Sequence, residues 1–282
     1  MTTSLDGREL AAEIRADAAA GAAALTAAGR PPHLAVVTAT TDEASAWYVR
    51  SIARAAAKVG IACDVDGEET SAGITAALRR LSADLGVHGI ILQTPLPGGA
   101  RLAELAGAIA PGKDVDGANP LSLGRLVAGL PAFTPATAEA VLAMLDHYQV
   151  KAAGRRAVVV GRSVVIGKPV AHLLLDRDAT VTICHSRTPD LPAITAQAGI
   201  LVVAAGRPGL IGPAHVAPGT TVIDVGTNAT ADGGLAGDVD PAVAEVAGAL
   251  SPVPGGVGPV TTALLLRHVT QAAAATGTAG EA

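Results

Sequence analysis

The stretch Val158–Pro169, which reads VVVGRSVVIGKP, constrains the fold more than any other part of the chain. Its valines Val158–Val160 form a β-branched apolar run, which is typical of a strand buried on both faces. Gly161 ends that run, and Gly167 begins an apolar segment that is compatible with a helix. A strand, a glycine-bearing turn and a helix start direct free backbone N–H groups and the positive end of the helix dipole to one place. The stretch therefore predicts an anion-binding turn between a strand and a helix.

Segments typical of strands and helices alternate along most of the chain. Besides Val158–Val160, the predicted strands are Leu34–Val37, Ile61–Val65, Val87–Leu92, 179–184, Ile200–Ala204 and Thr221–Val225. The predicted helices are Asp6–Ala28, Ala44–Lys58, 71–85, Leu102–Ile109, Thr137–Tyr148 and 259–275. Such alternation predicts an α/β fold with largely parallel sheets and right-handed crossovers.

A region rich in proline and glycine, Pro111–Pro135, interrupts the alternation and indicates two domains. The 282 residues of the chain are enough for both. We expect residues 1–131, joined by the last helix at about 260–282, to form one α/β domain. Residues 132–259 then form a second, Rossmann-like domain that binds a nucleotide at the turn after Val158–Val160.

Composition and charge exclude several classes of function. The net charge is −5 and no run of Lys or Arg occurs, so neither nucleic acid nor an anionic membrane is an expected partner. The seven histidines show no paired ligand spacing, and we expect no metal. The two cysteines lie far apart, no signal peptide is visible, and prolines break the uncharged run Val246–Leu266. These features predict a reduced protein of the cytoplasm.

The strand predicted at 179–184 is followed by residues that favour NADP over NAD. A domain that binds NAD usually carries Asp or Glu at this point, to hold the 2′-hydroxyl of the ribose, whereas an Arg accommodates a 2′-phosphate. Here the residues include Ser186 and Arg187, and Arg162 lies in the preceding turn. The absence of a carboxylate from this sequence position predicts NADP as the cofactor.

In the first half of the chain, three places could carry chemistry. Tyr48 lies on a predicted helix with Ile52 on the same face, and Gln93 follows a predicted strand in the sequence LQTPLPGG. Asp114 and Asp116 lie two residues apart in KDVDG. Each has a structural alternative: Tyr48 as a packing residue, Gln93 in a bond across its loop, and at least one of the carboxylates in an Asx turn.

The segment Ser251–Pro259, SPVPGGVGP, combines three prolines and three glycines in nine residues. Prolines stiffen a loop, and glycines let its backbone approach a ligand closely. A structural crossover is the alternative. The segment therefore indicates a second ligand-binding loop.

Taken together, these stretches resemble the methylenetetrahydrofolate dehydrogenase/cyclohydrolase family over nearly the whole chain. The matching segments are 45–49, LQTPLPGG at 92–99, KDVDG at 113–117, Thr134-Pro135, 158–169, 179–188, 222–226, 237–239 and 251–259. Any one of them could match by chance, but the ordered set is highly specific.

The resemblance implies a two-domain, typically dimeric enzyme with a folate cleft between its domains. It implies oxidation of 5,10-methylenetetrahydrofolate by NADP, followed in most members by hydrolysis to 10-formyltetrahydrofolate. Tyr48 would stack on the aminobenzoate ring, Asp114 would bond to the pterin, and Gln93 would assist at the reacting centre. The loop residues that would flank the substrate are Pro254, Gly255 and Gly256. The implied cofactor-binding residues are Gly161, Arg162, Ser163, Gly167, Ser186, Arg187 and Thr227.

The chain departs from the family pattern at the lysine that normally follows the tyrosine by four residues, because Ile52 occupies that position. An ammonium group can shuttle protons to activate water, and isoleucine cannot. Lys58 lies six residues further on and turns to another face of the helix. The folate side also differs at Ala118, Asn119 and Ser122, where the family usually has an aromatic residue, a histidine and an asparagine.

We therefore expect an NADP-dependent methylenetetrahydrofolate dehydrogenase of one-carbon metabolism whose cyclohydrolase activity is weak or lost. Hydride transfer depends mostly on positioning, whereas hydrolysis requires a proton carrier. The alternatives are a fully bifunctional enzyme, a dehydrogenase acting on a modified folate or another substrate, and a non-catalytic paralogue that binds nucleotide. If NADP bound but tetrahydrofolate did not, both folate hypotheses would weaken.

Overall fold

The computed structural model describes residues 2–39, 43–230 and 233–278. The chain divides into two compact units, which we name after their main sheets. The six-stranded unit comprises Met1–Ala11 and Thr137–Thr261, and the three-stranded unit comprises Ala12–Ala136 and Thr262–Ala282. The predicted fold, two α/β domains with parallel sheets, is confirmed. The first eleven residues lie in the six-stranded unit, whereas the sequence-based boundaries assign them to the first domain.

The strands and helices follow the predicted alternation closely. The strands are β1 (Thr3–Ser4), β2 (His33–Thr38), β3 (Ala62–Gly67), β4 (Gly89–Leu92), β5 (Arg156–Val160), β6 (Thr180–Cys184), β7 (Ile200–Val203), β8 (Thr221–Asp224), β9 (Asn228–Ala229), β10 (Leu235–Ala236) and β11 (Ala249–Leu250). The α-helices are α1 (Arg8–Ala27), α2 (Glu43–Lys58), α3 (Ser71–Ala83), α4 (Leu102–Ala106), α5 (Pro120–Val127), α6 (Ala136–His147), α7 (Gly167–Leu175), α8 (Leu191–Thr195) and α9 (Val257–Thr278).

The three-stranded unit has a parallel sheet in the order β3-β2-β4. Leu34–Val37 of the central strand are buried, because helices and neighbouring strands cover them on all sides, while β3 at the edge is largely exposed. Since all three strands are parallel, the carboxyl ends of β2 and β4 meet at one edge of the sheet. That edge receives Gln93, whose backbone N–H donates to the Val37 carbonyl at 2.8 Å.

The six-stranded unit has a parallel sheet in the order β1-β11-β8-β7-β5-β6. Its interior strands β7 and β8 are buried at every position, which explains their unbroken apolar runs. The chain passes from β5 to β6 on one side and then crosses to β7 on the other. The strand order therefore reverses at β5, and in open α/β sheets ligands bind at the carboxyl ends of the strands at such a point. This is the Rossmann-like arrangement predicted from the sequence.

Strand β1 is an element that the sequence pattern does not reveal. It is only two residues long, too short for any periodicity, and it joins the sheet because Thr3 and Leu5 donate their N–H groups to Gly248 and Leu250 at 2.9 Å. The Tyr148 hydroxyl donates to the Asp6 carbonyl at 3.0 Å and fastens the same segment. These bonds explain why residues 1–11 belong to the six-stranded unit.

Helix α5 lies within the proline-rich region that the sequence pattern marks as irregular. Its start follows ordinary capping rules: the Asn119 side chain accepts the Leu121 N–H at 2.8 Å, and Pro120 occupies the first helical position. Pro111–Pro135 is therefore folded structure and not a flexible linker.

The sequence predicts neither a membrane span nor a metal site, and the described residues bear on both expectations. Within them, no helix has both the length and the apolar character needed to cross a membrane. The same residues contain no cluster of three or more His, Cys, Asp or Glu side chains suited to a metal ion.

A glycine at the start of β4 provides a test of the packing in the three-stranded unit. A Cβ added to Gly89 would lie 2.9 Å from Val269 Cγ2 and 3.1 Å from Val115 Cγ1. We expect Gly89→Ala to lower the free energy of unfolding by about 1–3 kcal/mol, because this part of the core is already filled. Urea unfolding measures the change.

The matched control is Gly124→Ala in the exposed face of α5, where an added Cβ meets no described neighbour within 4 Å. That substitution should be neutral or stabilise by up to about 1 kcal/mol, since alanine favours a helix. Equal losses of stability in the two variants would contradict the packing argument.

Candidate functional site

The turn after β5 is closed by direct contact between backbone segments. Gly161 has φ +137°, and a Cβ there would lie 2.2 Å from the Ala204 carbonyl oxygen. A Cβ on Gly167 would lie 2.2 Å from the Gly161 carbonyl oxygen. Any side chain at either position would push the turn open. The two glycines singled out in the sequence thus let the β5–α7 turn fold tightly at the start of a helix.

Arg162 and Ser163 lie on the exposed side of this turn. The Ser163 hydroxyl oxygen accepts the N–H groups of Ile166 at 3.1 Å and Gly167 at 3.3 Å. Because the oxygen accepts these bonds, the hydroxyl hydrogen is available for donation to a ligand. The turn therefore presents a hydroxyl donor and a guanidinium at the amino end of α7, which suits a phosphate group.

A second exposed turn, residues 185–188, follows β6 next to the first. Val160 and Cys184 are register partners, so both turns leave the same edge of the sheet. Within the turn the Thr188 N–H donates to the His185 carbonyl at 2.8 Å, which leaves Ser186 and Arg187 exposed at its tip. No Asp or Glu occurs between 185 and 188. Residues of this kind fit a ribose that carries a 2′-phosphate.

Thr227 lies beyond β8, where two carboxylates organise the backbone. Asp238 accepts the N–H groups of Ala205, Gly206 and Arg207 at 2.6–2.8 Å. Burial raises the pKa of Asp224 to about 6, although it accepts three N–H groups that oppose the shift. These bonds hold the segments on both sides of Thr227, whose side chain is exposed at the carboxyl edge of the sheet.

The glycines of the 251–259 loop make room for the protein's own amino-terminal segment. Gly255, at φ +113°, lies against the Arg8 guanidinium, and its carbonyl accepts the Gly7 N–H at 2.8 Å. A Cβ on Gly256 would lie 2.6 Å from the Pro252 carbonyl oxygen. Both glycines are buried, while Pro254 is exposed. Gly255 and Gly256, whose presence suggests a ligand-binding loop, thus also allow close packing within the protein.

Tyr48 and Ile52 occupy successive turns of α2. Tyr48 is half-buried, and burial, together with the charge of Asp116, raises the pKa of its hydroxyl. Ile52 is completely buried. The position where the family resemblance predicts a lysine therefore holds a packed apolar side chain, one helical turn from the tyrosine.

The two lysines of the three-stranded unit do not replace the missing one. Lys113 donates from Nζ to the carbonyls of Leu81 at 3.2 Å and Asp84 at 2.5 Å, so it fastens the end of α3. Lys58 is exposed at the end of α2, on a different face from Ile52.

Gln93 is half-buried at the carboxyl end of β4. Its Nε2 donates to the Thr94 carbonyl at 2.8 Å, which is a bond within its own loop. The amide remains at the edge of the sheet where the predicted site lies, and its assignment to the reacting centre stays a prediction.

The two carboxylates of KDVDG have different environments. Asp114 is fully buried and accepts the N–H groups of Ala118 and Asn119 at 2.9 Å and the Ser122 hydroxyl at 2.6 Å. Its oxygens are therefore engaged in folding the start of α5. Ala118, Asn119 and Ser122, the positions that differ from the family pattern, all belong to this network.

Asp116 is the half-buried member of the pair. Burial, then the charge of Asp114, raises its pKa to about 7, while His268 and the Ala136 N–H act in the opposite direction. Its charge reaches the Tyr48 hydroxyl. The geometry favours Asp116 over Asp114 as the carboxylate that meets a ligand. Two aspartates two residues apart look alike in the sequence, and only the fold around Asp114 distinguishes them.

Substitution of each aspartate by asparagine separates the two roles. Asp114→Asn should lower the free energy of unfolding by about 1–3 kcal/mol, because an amide NH₂ would face N–H donors. Asp116 behaves differently, since its pKa is higher in the folded protein than its ordinary value of 3.8. Its contribution to stability is present at low pH and is lost as pH rises through about 7.

We therefore expect Asp116→Asn to be at least as stable as the native chain at about pH 8, where the native carboxylate is ionised. Denaturant unfolding of both variants at about pH 5 and about pH 8 measures the contrast. A larger loss of stability for Asp116→Asn than for Asp114→Asn would contradict this assignment.

Comparison with known proteins agrees with the fold, because family models match both halves of the chain. Residues 5–116 match the catalytic domain, and residues 135–277 the NAD(P)-binding domain, of tetrahydrofolate dehydrogenase/cyclohydrolase. The "Bifunctional protein FolD 1" of Saccharopolyspora erythraea is 64% identical over 276 residues, which cover 96% of this chain and 94% of that protein.

Solved structures agree as well. A FolD methylenetetrahydrofolate dehydrogenase/cyclohydrolase from Campylobacter jejuni superposes with a TM-score of 0.93 at 37% identity, covering 98% of this chain and 100% of that one. The Trypanosoma brucei FolD structure, complexed with NADP cofactor and inhibitor, gives 0.91 at 34% identity, covering 98% of each chain. The chain belongs to the tetrahydrofolate dehydrogenase/cyclohydrolase family of enzymes.

Proposed function

We propose that the chain oxidises 5,10-methylenetetrahydrofolate to 5,10-methenyltetrahydrofolate with NADP as the cofactor. The observation that carries the proposal is the pair of adjacent turns after β5 and β6, which are basic and carry no carboxylate. A phosphorylated ribose requires such a surface. Family membership supports folate as the substrate.

NADP is bound by the residues of the two turns. Ser186 and Arg187 would hold the 2′-phosphate, and Arg162 and Ser163 would hold the other phosphates at the start of α7. Gly161 and Gly167 keep the turn closed, and Thr227 would border the cofactor at the next strand end. When bound, NADP⁺ supplies the acceptor for a hydride.

The folate side uses residues of the three-stranded unit. Tyr48 would offer its ring to the aminobenzoate group, and Gln93 would contact the reacting centre. Asp116, in place of Asp114, would bond to the pterin: with a pKa of about 7 its carboxyl can donate or accept near neutral pH. The assignment of Pro254, Gly255 and Gly256 of the six-stranded unit to the substrate rests on the family resemblance and stays a prediction; Pro254 is exposed, whereas both glycines are buried.

The cyclohydrolase step is weak or absent in this proposal. Opening the methenyl bridge requires a group that activates water, and an ammonium beside Tyr48 would serve. Ile52 removes it, and Lys58 and Lys113 are directed elsewhere. Hydride transfer depends mostly on how the cofactor is positioned against the substrate, so the dehydrogenase activity is retained in this proposal.

A fully bifunctional enzyme is the second candidate, because the relative from Saccharopolyspora erythraea is named as bifunctional. In that case another group performs the work of the missing lysine. The homodimer and the cytoplasmic location expected from the sequence stay predictions.

An assay that follows NADPH formation and methenyl decay together decides between the two candidates. We expect NADPH to form and the methenyl chromophore to decay at the uncatalysed rate. Ile52→Lys should increase enzymatic methenyl decay at least about tenfold, equivalent to about 1.4 kcal/mol, because it restores an ammonium near Tyr48.

Ile52→Met is the matched control, since it keeps an apolar side chain of similar volume and should leave both activities unchanged. Methenyl decay in the native chain clearly above the uncatalysed rate would establish the bifunctional alternative. If Ile52→Lys forms NADPH normally but gains no hydrolysis, Ile52 does not explain the loss.

The cofactor assignment is tested at Arg187. Removing a charge-assisted bond costs about 1.5–3 kcal/mol, so Arg187→Ala should raise the KM for NADP roughly 10- to 150-fold. The KM for NAD should not change, because NAD lacks the 2′-phosphate. Arg156→Ala is the control: this exposed arginine begins β5 at the opposite edge of the sheet and bonds to Gln197. Equal effects on NADP and NAD would contradict the assignment.

A further inference from the structure

His268, on α9, contacts the loop that carries both aspartates. The side chain is 3% exposed, and its Nδ1 lies 2.8 Å from the Val115 carbonyl oxygen. A carbonyl can only accept, so Nδ1 carries the hydrogen of this bond. Val115 separates Asp114 from Asp116, and the bond therefore fixes the backbone immediately before the Asp116 side chain.

Other contacts leave this loop little freedom. The ring of His268 packs against Phe133, with ring centroids 5.2 Å apart at 42°. Gly117, which follows Asp116, has φ +60°, and a Cβ added there would lie 2.8 Å from the Phe133 carbonyl oxygen and 2.6 Å from Pro135 N. Phe133 thus touches both the histidine and the glycine that follows Asp116. Together with the bond from His268 to the Val115 carbonyl, these contacts restrict the backbone on both sides of Asp116.

We propose that His268 is a positioning residue for the folate reaction: its bond to the Val115 carbonyl fixes the place from which the Asp116 carboxyl is presented to the substrate. The proposal rests on the proposed function, in which Asp116 meets the pterin. His268 acts through Asp116 and is not itself assigned a contact with substrate.

The groups that act on the ionisation of Asp116 come from several parts of the three-stranded unit. Asp114 in the same loop repels the ionised form, Tyr48 of α2 lies within its field, and the Ala136 N–H at the start of α6 donates to it. His268 of α9 lowers the pKa of Asp116. The pH dependence of Asp116 therefore reports whether His268 keeps its place beside the loop.

Two substitutions distinguish positioning from general support of the fold. His268→Asn keeps an N–H donor near the place of Nδ1 but cannot carry a proton charge. His268→Leu removes the N–H donor as well. Gln271→Leu, at an exposed position of the same helix, is the control and should behave like the native chain.

With His268→Leu we expect the KM for methylenetetrahydrofolate to rise tenfold or more, while the KM for NADP stays within twofold. With His268→Asn the KM for the folate should stay within threefold, and the acid limb of the kcat/KM profile should move to higher pH. That direction follows because His268 lowers the pKa of Asp116, and asparagine does not replace this effect. A structural defect alone would not be rescued selectively by asparagine or move the pH profile.

A second readout does not depend on catalysis. Titration of ¹³C-carboxyl-labelled aspartate by NMR, with the Asp116 signal assigned from Asp116→Asn, should show a higher midpoint in His268→Asn than in the native chain. If the native chain proves inactive, the proposed function fails while this titration still judges the role of His268. An unchanged Asp116 midpoint in His268→Asn, or an unchanged folate KM for His268→Leu in an active enzyme, would overturn the proposal.

Discussion

Buried carboxylates that accept backbone N–H groups hold the loops on which the candidate site depends. Asp114 accepts N–H groups at the start of α5, and Asp224 accepts those of residues 226, 238 and 239. Asp238 accepts those of residues 205–207. Loops at the ends of parallel strands contain N–H groups that no neighbouring strand can satisfy. A buried carboxylate satisfies several of them at once and is stabilised by them in return. The exposed residues proposed to meet ligands therefore project from loops whose backbones are already fixed.

Much of the nucleotide-binding half could be predicted from the sequence because local chemistry determines it. The valine run before Gly161 is typical of an interior strand, and the tight turn before the helix requires a glycine at position 167. Strand order determines that the turn after β6 lies beside the turn after β5. The basic character of that second turn then depends on residue identity alone, and Arg187 is readable directly from the chain.

The folate half was harder to predict because its residues take their roles from distant parts of the chain. Asp114 and Asp116 differ only in what surrounds them, and the surroundings come from α5, Phe133 and α9. The six-stranded unit has such cases too: Gly255 appears suited to a ligand, yet Arg8, almost 250 residues earlier, lies against it. Strand β1 exists only because β11 offers an edge. Such pairings depend on tertiary contacts, which no local pattern encodes.

An isoleucine at position 52 bears on the electrostatics of its surroundings as well as on the available proton carriers. Burial and the charge of Asp114 raise the pKa of the Asp116 carboxyl, and an isoleucine on the same face of α2 as Tyr48 offers no charge that would oppose them. A cation on that face would act against this shift, because a positive charge favours the ionised carboxylate. Hydride abstraction from a methylene group leaves a positively charged methenyl product, and a carboxyl that is partly ionised near neutral pH can accommodate both charge states. Within the proposed function, a site of this composition suits a reaction in which the charge on the substrate changes.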